Sequence, residues 1–230
     1  MEKRFIPILF PIFFILSLLM SSCNVYGQYI ELKETPVFGT EPGLENSRIL
    51  YEDDFSNSES GWQIFQSKAG SSANYEHEGF RIIVNEVEMD YWSIQNIMIA
   101  DVQLAVDSIK MSGPDNNLFG LICRFTEENN YYAFVISSDG YYAILKMING
   151  QYSLLSGDHM DFHDAINNGR GTNRLRADCI GDQLVLYVNN VKLETVIDGD
   201  LSEGRIGLIA GTKDLPGTDI LFDNFILYQP

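Results

Sequence analysis

Apolar and polar residues alternate with a period of two along most of the chain after residue 49. In the run 80–84, for example, Phe80, Ile82 and Val84 share one parity. Further runs of this kind cover residues 102–106, 121–125, 132–136, 175–179 and 184–188. Successive side chains of a strand point to opposite faces of its sheet, so the pattern predicts half-buried antiparallel strands. Helical periodicity is nearly absent, and only residues 161–168 suggest a helical turn.

Turn sequences separate the alternating runs. The dipeptide Asp139-Gly140 divides residues 131–148 into two runs, and Gly181 divides residues 173–189 in the same way. Glycine, and Asp or Asn before it, readily adopts the positive φ angles of tight hairpin turns, so both segments are predicted to be β-hairpins. About a dozen short strands with such turns predict an all-β fold, an antiparallel two-sheet jelly-roll sandwich.

Composition and charge narrow the class of protein. The 230 residues carry a net charge of −17, and 45% of them are hydrophobic. This length suits one β-rich domain with a large core. An acidic chain without a run of Lys or Arg repels phosphate backbones, so we predict that the protein does not bind nucleic acid.

The first 22 residues differ in character from the rest of the chain. A basic start precedes an apolar run, residues 5–20, which two prolines interrupt. A basic start, a short apolar run and small residues before a cleavage site are typical of a secretory signal peptide. The run is too short and too interrupted to predict a membrane span. Residues 1–22 are therefore predicted to be a signal peptide.

Cys23 directly follows the segment Leu19–Ser22. This arrangement resembles the lipobox of bacterial lipoproteins, although most lipoboxes have Leu, Val or Ile at the position of Met20. The resemblance implies that Cys23 is lipidated and becomes the first mature residue. The alternative is an ordinary cleaved signal peptide that happens to end near a cysteine.

The segment after Cys23 contains several Gly and Pro residues and little apolar periodicity, which predicts a flexible tether over residues 23–48. The jelly-roll domain is predicted to cover residues 49–230. A lipid on Cys23 would make the membrane a partner of the protein. The expected location is the extracytoplasmic face of the cell membrane.

Several sequence blocks within the predicted domain follow one another in a characteristic order. They are Tyr51–Phe55 with Gly61-Trp62, Gly120–Phe125, Asn130–Phe134, Ser138–Tyr142, Asn173–Arg176, Leu186–Asn189, Gly204–Leu208 and Phe222–Phe225. This order resembles the concanavalin A-like lectin/glucanase superfamily, and in particular its 3-keto-disaccharide hydrolase-type and laminin G-like domains. The resemblance implies a concanavalin A-like jelly roll. It does not specify an activity, because the superfamily includes lectins, hydrolases and structural modules.

Cys123 and Cys179 each lie in the middle of a predicted strand, with the parity of core residues. In an oxidising compartment they can form a disulfide if their strands are neighbours, and otherwise they are two buried thiols. Similar domains of the superfamily often carry both cysteines, and this resemblance implies the disulfide.

The resemblance also implies a structural Ca²⁺ ion. In similar sandwiches a carboxylate of the last strand and oxygens near the first strand hold such an ion. Asp223 and the pair Asp53-Asp54 occupy these places here, and carboxylate oxygens suit Ca²⁺, so Asp223 and Asp54 are the predicted ligands. The alternative is that both carboxylates accept hydrogen bonds from backbone amides in turns. No other cofactor is predicted.

A sugar ring requires aromatic faces and a few fixed hydrogen-bonding groups from its binding site. Trp92, Arg124 and Tyr142 are the residues that we predict to form such a site, with Arg124 and Tyr142 on the polar parity of central strands. The chain is therefore predicted to be a non-catalytic, glycan-binding lipoprotein whose partner is an oligosaccharide or a cell-surface glycan.

Two alternatives remain open. The first is a glycoside hydrolase that acts on keto-disaccharides or β-glucans. A hydrolase that resembles the family-16 glycosidases would carry Glu-x-Asp-x-x-Glu along one strand, and the nearest segment, Glu86–Trp92, lacks the final carboxylate. No catalytic residue is therefore predicted. The second alternative is a protein-binding envelope or adhesion module without a glycan ligand.

Overall fold

Two antiparallel β-sheets pack face to face through the alternating apolar residues of their strands. The structure, a computed structural model, describes residues 41–126 and 129–230. The predicted signal peptide and Cys23 lie outside the described residues. Within the described ranges every regular element is a β-strand. The all-β sandwich of two antiparallel sheets that the alternation predicts is therefore confirmed.

Sheet A contains nine of the strands that the structure describes. Its neighbours follow the order β14 (Val191–Ile197), β13 (Gln183–Val188), β12 (Asn173–Ile180), β6 (Val102–Ser112), β16 (Thr218–Gln229), β4 (Gly79–Val84), β3 (Ser72–Glu76) and β2 (Phe65–Gln66). The ninth strand, β1 (Arg48–Asp53), pairs with β16. The predicted hairpin around Gly181 is confirmed, because β12 and β13 are antiparallel neighbours.

Sheet B contains the other seven described strands. Its neighbours follow the order β10 (Gln151–Leu154), β9 (Tyr141–Ile148), β8 (Tyr131–Ile136), β7 (Asn117–Phe125), β15 (Gly204–Thr212) and β5 (Asp90–Ile99). The predicted β8–β9 hairpin is confirmed. The helical turn expected over residues 161–168 is wrong, because the short strand β11 (Asp161–Phe162) pairs with the beginning of β9.

The core between the sheets is apolar and rich in aromatic rings. Trp62 is 4% exposed, and its ring contacts Phe55, Phe80 and Phe225. Fully burying a side chain of this size contributes at least about 2 kcal/mol. A buried indole also needs a partner for its N–H group. The Trp62 Nε1–H donates to a carboxylate oxygen of Asp53, at 2.9 Å.

Asp53 connects several parts of the chain through its two carboxylate oxygens. Besides Trp62, its Oδ2 accepts hydrogen bonds from the hydroxyl groups of Tyr51 (2.8 Å) and Ser60 (2.5 Å). Its Oδ1 accepts from the backbone N–H of Phe55 at 2.8 Å. Because Asp53 is only 8% exposed, these donors replace the water that its charge would otherwise require.

A disulfide joins the two sheets at one end of the sandwich. Cys123 in β7 is bonded to Cys179 in β12, and both residues are fully buried. The bond implied by the resemblance is therefore confirmed. It closes a loop between residues 56 positions apart in the sequence. Because this loop restricts the conformations open to the unfolded chain, the bond stabilises the fold by about 2–4 kcal/mol.

Residues 41–47, which we call the strap, lie on the outer face of sheet A. The carboxylate of Glu41 pairs with Arg174 at 3.1 Å, and the carbonyl oxygen of Pro42 accepts a hydrogen bond from Arg176. Leu44 covers three apolar side chains, which are Ala105, Ile226 and Tyr228. The last part of the predicted tether is therefore packed against the sandwich.

Candidate functional site

Every second residue of sheet B points away from the core between the sheets. We call the surface that they form the outer face of sheet B. Its members include Asp90, Trp92 and Ile94 in β5, Arg205, Gly207, Ile209 and Gly211 in β15, Leu118, Gly120 and Ile122 in β7, Tyr131, Ala133 and Val135 in β8, and Tyr141, Ala143, Leu145 and Met147 in β9. In the middle of this face glycines and alanines alternate with buried Ile, Val and Leu side chains, and aromatic residues lie around them.

Three aromatic rings meet on this face. Trp92 lies 5.8 Å from Tyr131 and 6.1 Å from Phe125, measured between ring centroids. Phe125 and Tyr131 are stacked, with 5.8 Å between centroids. The guanidinium group of Arg205 lies over Phe125 at 5.4 Å. We call these four side chains the aromatic cluster.

The contact between Trp92 and Tyr131 shows that this face is concave. Their strands, β5 and β8, are separated by two others, so their backbones lie three strand spacings apart, or about 14 Å in a flat sheet. Tyr131 also lies four residues along β8 from Val135, the residue in register with Trp92, so a flat sheet would place the two residues about 20 Å apart. The ring centroids are nevertheless only 5.8 Å apart. The sheet therefore curves so that side chains from distant strands meet above a buried, apolar floor.

Asp90 lies beside the aromatic cluster. A Cβ atom added to Gly211 would lie 1.9 Å from Oδ1 of Asp90, so the carboxylate occupies space that only a glycine leaves open. Burial raises the pKa of the Asp90 carboxyl, and the charge of Lys213 opposes that shift in part. None of the described residues donates a hydrogen bond to it. The carboxylate oxygens can therefore accept hydrogen bonds from a ligand.

The charge of Asp90 acts on two tyrosines. Burial, and then the negative charge of Asp90, raise the pKa of Tyr131. The same two causes raise the pKa of Tyr152 in β10, at the opposite edge of sheet B. Tyr152 remains 44% exposed, so its ring is accessible to a ligand. Aromatic faces thus lie next to hydrogen-bonding groups at the rim of the concave face.

Of the three residues predicted to bind a ligand, only Trp92 lies in this site. Arg124 is 1% exposed, and its guanidinium group donates to the carbonyl oxygens of Ala100 (3.2 Å), Leu201 (2.8 Å) and Gly181 (2.8 Å). Its role is to hold three turns together at one end of the sandwich.

A β-bulge explains why the alternation misplaces Arg124. Between Ile122 and Phe125, β7 has one residue more than the matching stretch of β15. Arg124 adopts a positive φ of 54° at this bulge. The extra residue turns Arg124 away from the outer face and puts Phe125 there instead.

Tyr142 is also not part of the outer face. It is 7% exposed and belongs to the core between the sheets, where its hydroxyl donates to the carbonyl oxygen of Leu193 at 3.4 Å. In β9 it shares its parity with the buried Ile144, so Tyr141 is the tyrosine that faces outward. The structure therefore does not bring Trp92, Arg124 and Tyr142 together.

The carboxylates of the Glu86–Trp92 segment diverge. Glu86 accepts hydrogen bonds from the hydroxyl groups of Ser67, Ser71 and Tyr91, which lower its pKa. Asp90 lies on the outer face of sheet B. The segment therefore does not align its carboxylates along one groove, as the hydrolase alternative would require.

The two predicted metal ligands are both engaged with backbone amides. Asp54 accepts hydrogen bonds from the N–H and hydroxyl of Ser56, and Asp223 accepts from the N–H of Asn224 at 2.7 Å. Burial raises the pKa of Asp223 to about 6, and nearby negative charges, including Asp107 and Asp54, add to the shift. Among the described residues, no group of three or more His, Cys, Asp and Glu side chains is arranged to hold a metal ion.

Solved structures share this fold at low sequence identity. The carbohydrate-binding module CBM66 from Bacillus subtilis aligns with a TM-score of 0.59 and 16% identity, over 74% of this chain and 96% of that chain. A galectin-like protein of unknown function from Bacillus subtilis gives 0.57 and 10%, over 80% and 98%. Bacillus licheniformis β-glucanase gives 0.55 and 11%, over 78% and 97%. The sequence matches no protein-family model and no curated protein.

These likenesses establish the fold. The chain is a jelly-roll sandwich, and its structural neighbours include carbohydrate-binding modules and glycoside hydrolases. The described residues include no helix that could cross a membrane.

Arg124 should be essential for stability. In the variant Arg124→Met the carbonyl oxygens of Ala100, Leu201 and Gly181 lose the donor that holds their turns together, so we expect the free energy of unfolding to fall by about 3 kcal/mol. Urea denaturation followed by circular dichroism measures this change. The exposed Arg170 provides a matched control, since Arg170→Met should keep the parent midpoint. An unchanged midpoint for Arg124→Met would contradict the structural role.

Asp223 should make stability depend on pH between about 4 and 6. Its carboxyl group keeps its proton up to about pH 6 in the folded state, whereas in the unfolded chain it ionises near 3.8. Stability should therefore fall as the pH rises through this window. Asp223→Asn should remove that slope and gain on the order of 1 kcal/mol at pH 7.

Urea denaturation at pH 4, 5, 6 and 7 measures the slope for the parent and the variant. Asp182→Asn, a change at an exposed carboxylate, is the control and should retain the parent slope. Equal slopes for the parent and Asp223→Asn would show that Asp223 is not the responsible group.

Proposed function

We propose that this protein is a carbohydrate-binding module that holds a neutral glycan on the outer face of sheet B. The observation that carries the proposal is the half-buried ring of Trp92 on a concave face, supported from behind by the buried rings of Phe125 and Tyr131, with the carboxylate of Asp90 next to it. The likeness to a carbohydrate-binding module supports it, because a related fold serves that purpose there.

Each part of the site has a chemical role in this proposal. The ring faces of Trp92 and Tyr152 stack on the C–H faces of sugar rings. Asp90 accepts hydrogen bonds from sugar hydroxyl groups, and Arg205 donates to sugar oxygens. These groups come from different strands of one sheet, so the fold positions them before the ligand arrives, which reduces the entropy lost on binding.

We also propose that the protein is an exported lipoprotein, bound through Cys23 to the extracytoplasmic face of the cell membrane. The confirmed disulfide between Cys123 and Cys179 supports export, because disulfides persist in oxidising compartments. Several acyl chains on one cysteine supply stable membrane anchoring, at ~0.8 kcal/mol per buried CH₂ group.

The anchor is tested by growing cells with a labelled fatty acid. The parent should take up the label and sediment with membranes, whereas Cys23→Ser should do neither. Cys123→Ser, at a cysteine inside the domain, is the control and should still be labelled. A Cys23→Ser variant that remains labelled would contradict lipidation.

A structural Ca²⁺ ion at Asp223 and Asp54 is a further part of this proposal. The raised pKa of Asp223 supports it, because burial disfavours the charge of this carboxylate and the nearby charges of Asp107 and Asp54 add to that effect, and a divalent cation would offset both. In thermal denaturation at pH 7, added Ca²⁺ should raise the melting temperature of the parent and leave that of Asp223→Asn unchanged. If added Ca²⁺ leaves the melting temperature of the parent unchanged, the carboxylates of Asp223 and Asp54 serve only as hydrogen-bond acceptors for backbone amides in turns.

Glycan binding is tested with the mature chain on a panel of β-glucans, xylans and mucin O-glycans. The parent should bind at least one class, and Trp92→Ala should weaken that binding about tenfold or more, because it removes a stacking surface. Tyr187→Ala changes a half-buried aromatic residue on the outer face of sheet A, so it is the matched control and should bind normally.

Other outcomes of the panel separate the alternatives. Release of shorter sugars from a bound polysaccharide would indicate a glycoside hydrolase. A parent that binds no glycan, or a folded Trp92→Ala variant that binds as well as the parent, would contradict the proposed site. The protein-binding module would then be the better interpretation.

A further inference from the structure

The geometry points to a second sugar-contacting platform on the outer face of sheet B, formed by Tyr141, Phe162 and Asn168. With it, the site takes an internal stretch of a neutral oligosaccharide chain rather than only a chain end. This inference rests on the proposed glycan-binding function and extends it to the kind of ligand.

Two exposed aromatic rings form the platform. Tyr141 is 42% exposed and Phe162 is 53% exposed, and their rings meet edge to face with 5.7 Å between centroids. The two residues are directly opposite each other in the pairing of β11 with β9, so they share one face of the sheet. Neither aromatic ring is needed to fill the core between the sheets.

An amide lies next to these rings. Gly140 adopts a positive φ of 98°, and a Cβ atom there would lie 2.6 Å from Cε2 of Phe162 and 2.9 Å from Oδ1 of Asn168. Phe162 and the exposed Asn168 therefore lie together over the same glycine. A ring face beside an amide matches the C–H face and the hydroxyl groups of a sugar ring.

The platform lies at the far end of the face from Asp90. Asp90 pairs with Gly211, and Gly211 pairs with Leu118, so these residues form one transverse row across the strands. The row continues to Tyr141, which accepts a backbone hydrogen bond from Ser137 in the neighbouring strand at 2.8 Å. Phe162 ends the row at the edge of the sheet.

The length of this row argues for a chain of sugars. It crosses five strand spacings, which would be about 24 Å in a flat sheet, and curvature shortens the direct path. One sugar ring cannot reach from Asp90 to Phe162. A ligand that contacts both ends must therefore run across the face, from beside Trp92 in β5 to the edge of the sheet at β11.

Charge restricts the ligand further. The chain carries a net charge of −17, and Asp139 and Asp161 lie close in sequence to the platform residues. Polymers with sulfate or uronate groups would be repelled by this field. The chemistry on this face therefore fits a neutral oligosaccharide.

The test measures affinity against chain length, with β-gluco-, xylo-, fructo- and O-glycan-type oligosaccharides of two to six units each. For the class that binds, affinity should rise about tenfold from two to six units. Phe162→Ala should abolish this gain and leave the affinity for two units unchanged. Asn168→Ala should have a smaller effect in the same direction. Ile197→Ala, a change at a 65% exposed residue on the edge of sheet A, is the matched control.

The possible results are distinguishable. If Trp92→Ala weakens binding but affinity is independent of chain length and of Phe162, the second platform is wrong and the proposed function stands. If no class binds at any length, both fail. If only sulfated or uronate-containing polymers bind, in an added arm of the panel, the neutral ligand is wrong.

Discussion

The two-residue period of the β-strand is the constraint on which the rest of this structure depends. Each strand of sheet B must supply the core between the sheets with one parity and the outer face with the other. Phe134 and Ile144 fill the core, so their neighbours Ala133 and Ala143 become part of the concave floor. The packing that stabilises the sandwich therefore also decides which side chains a ligand can meet.

One β-bulge changes this pattern and has two effects. It turns Arg124 inward, where three carbonyl oxygens from separate turns hold its charge, next to the disulfide that joins the sheets. It also turns Phe125 outward, where the ring stacks on Tyr131. The same irregularity thus ties down one end of the sandwich and completes the aromatic cluster.

The sequence was sufficient for features that depend on local periodicity and turns. The strands and both hairpins follow from alternation and from glycines in turns, and the disulfide followed from the family resemblance. Arg124 was misplaced because nothing nearby in the sequence marks a bulge. Tyr141 could have been found, since the buried Ile144 fixes the parity of β9. The contact of Trp92 with Tyr131 could not have been predicted from the sequence, because it depends on the curvature of the whole sheet.

The strap places the entry point of the chain on the opposite side of the sandwich from the glycan-binding face that we propose. Glu41 and Leu44 fasten it to the outer face of sheet A, whereas the aromatic cluster lies on sheet B. Any pulling force transmitted along the chain from a lipid anchor would first load the contacts between the strap and sheet A, in shear. Tension between the tether and a bound ligand must therefore pass through both sheets, and the disulfide between Cys123 and Cys179 gives that path a covalent link from one sheet to the other.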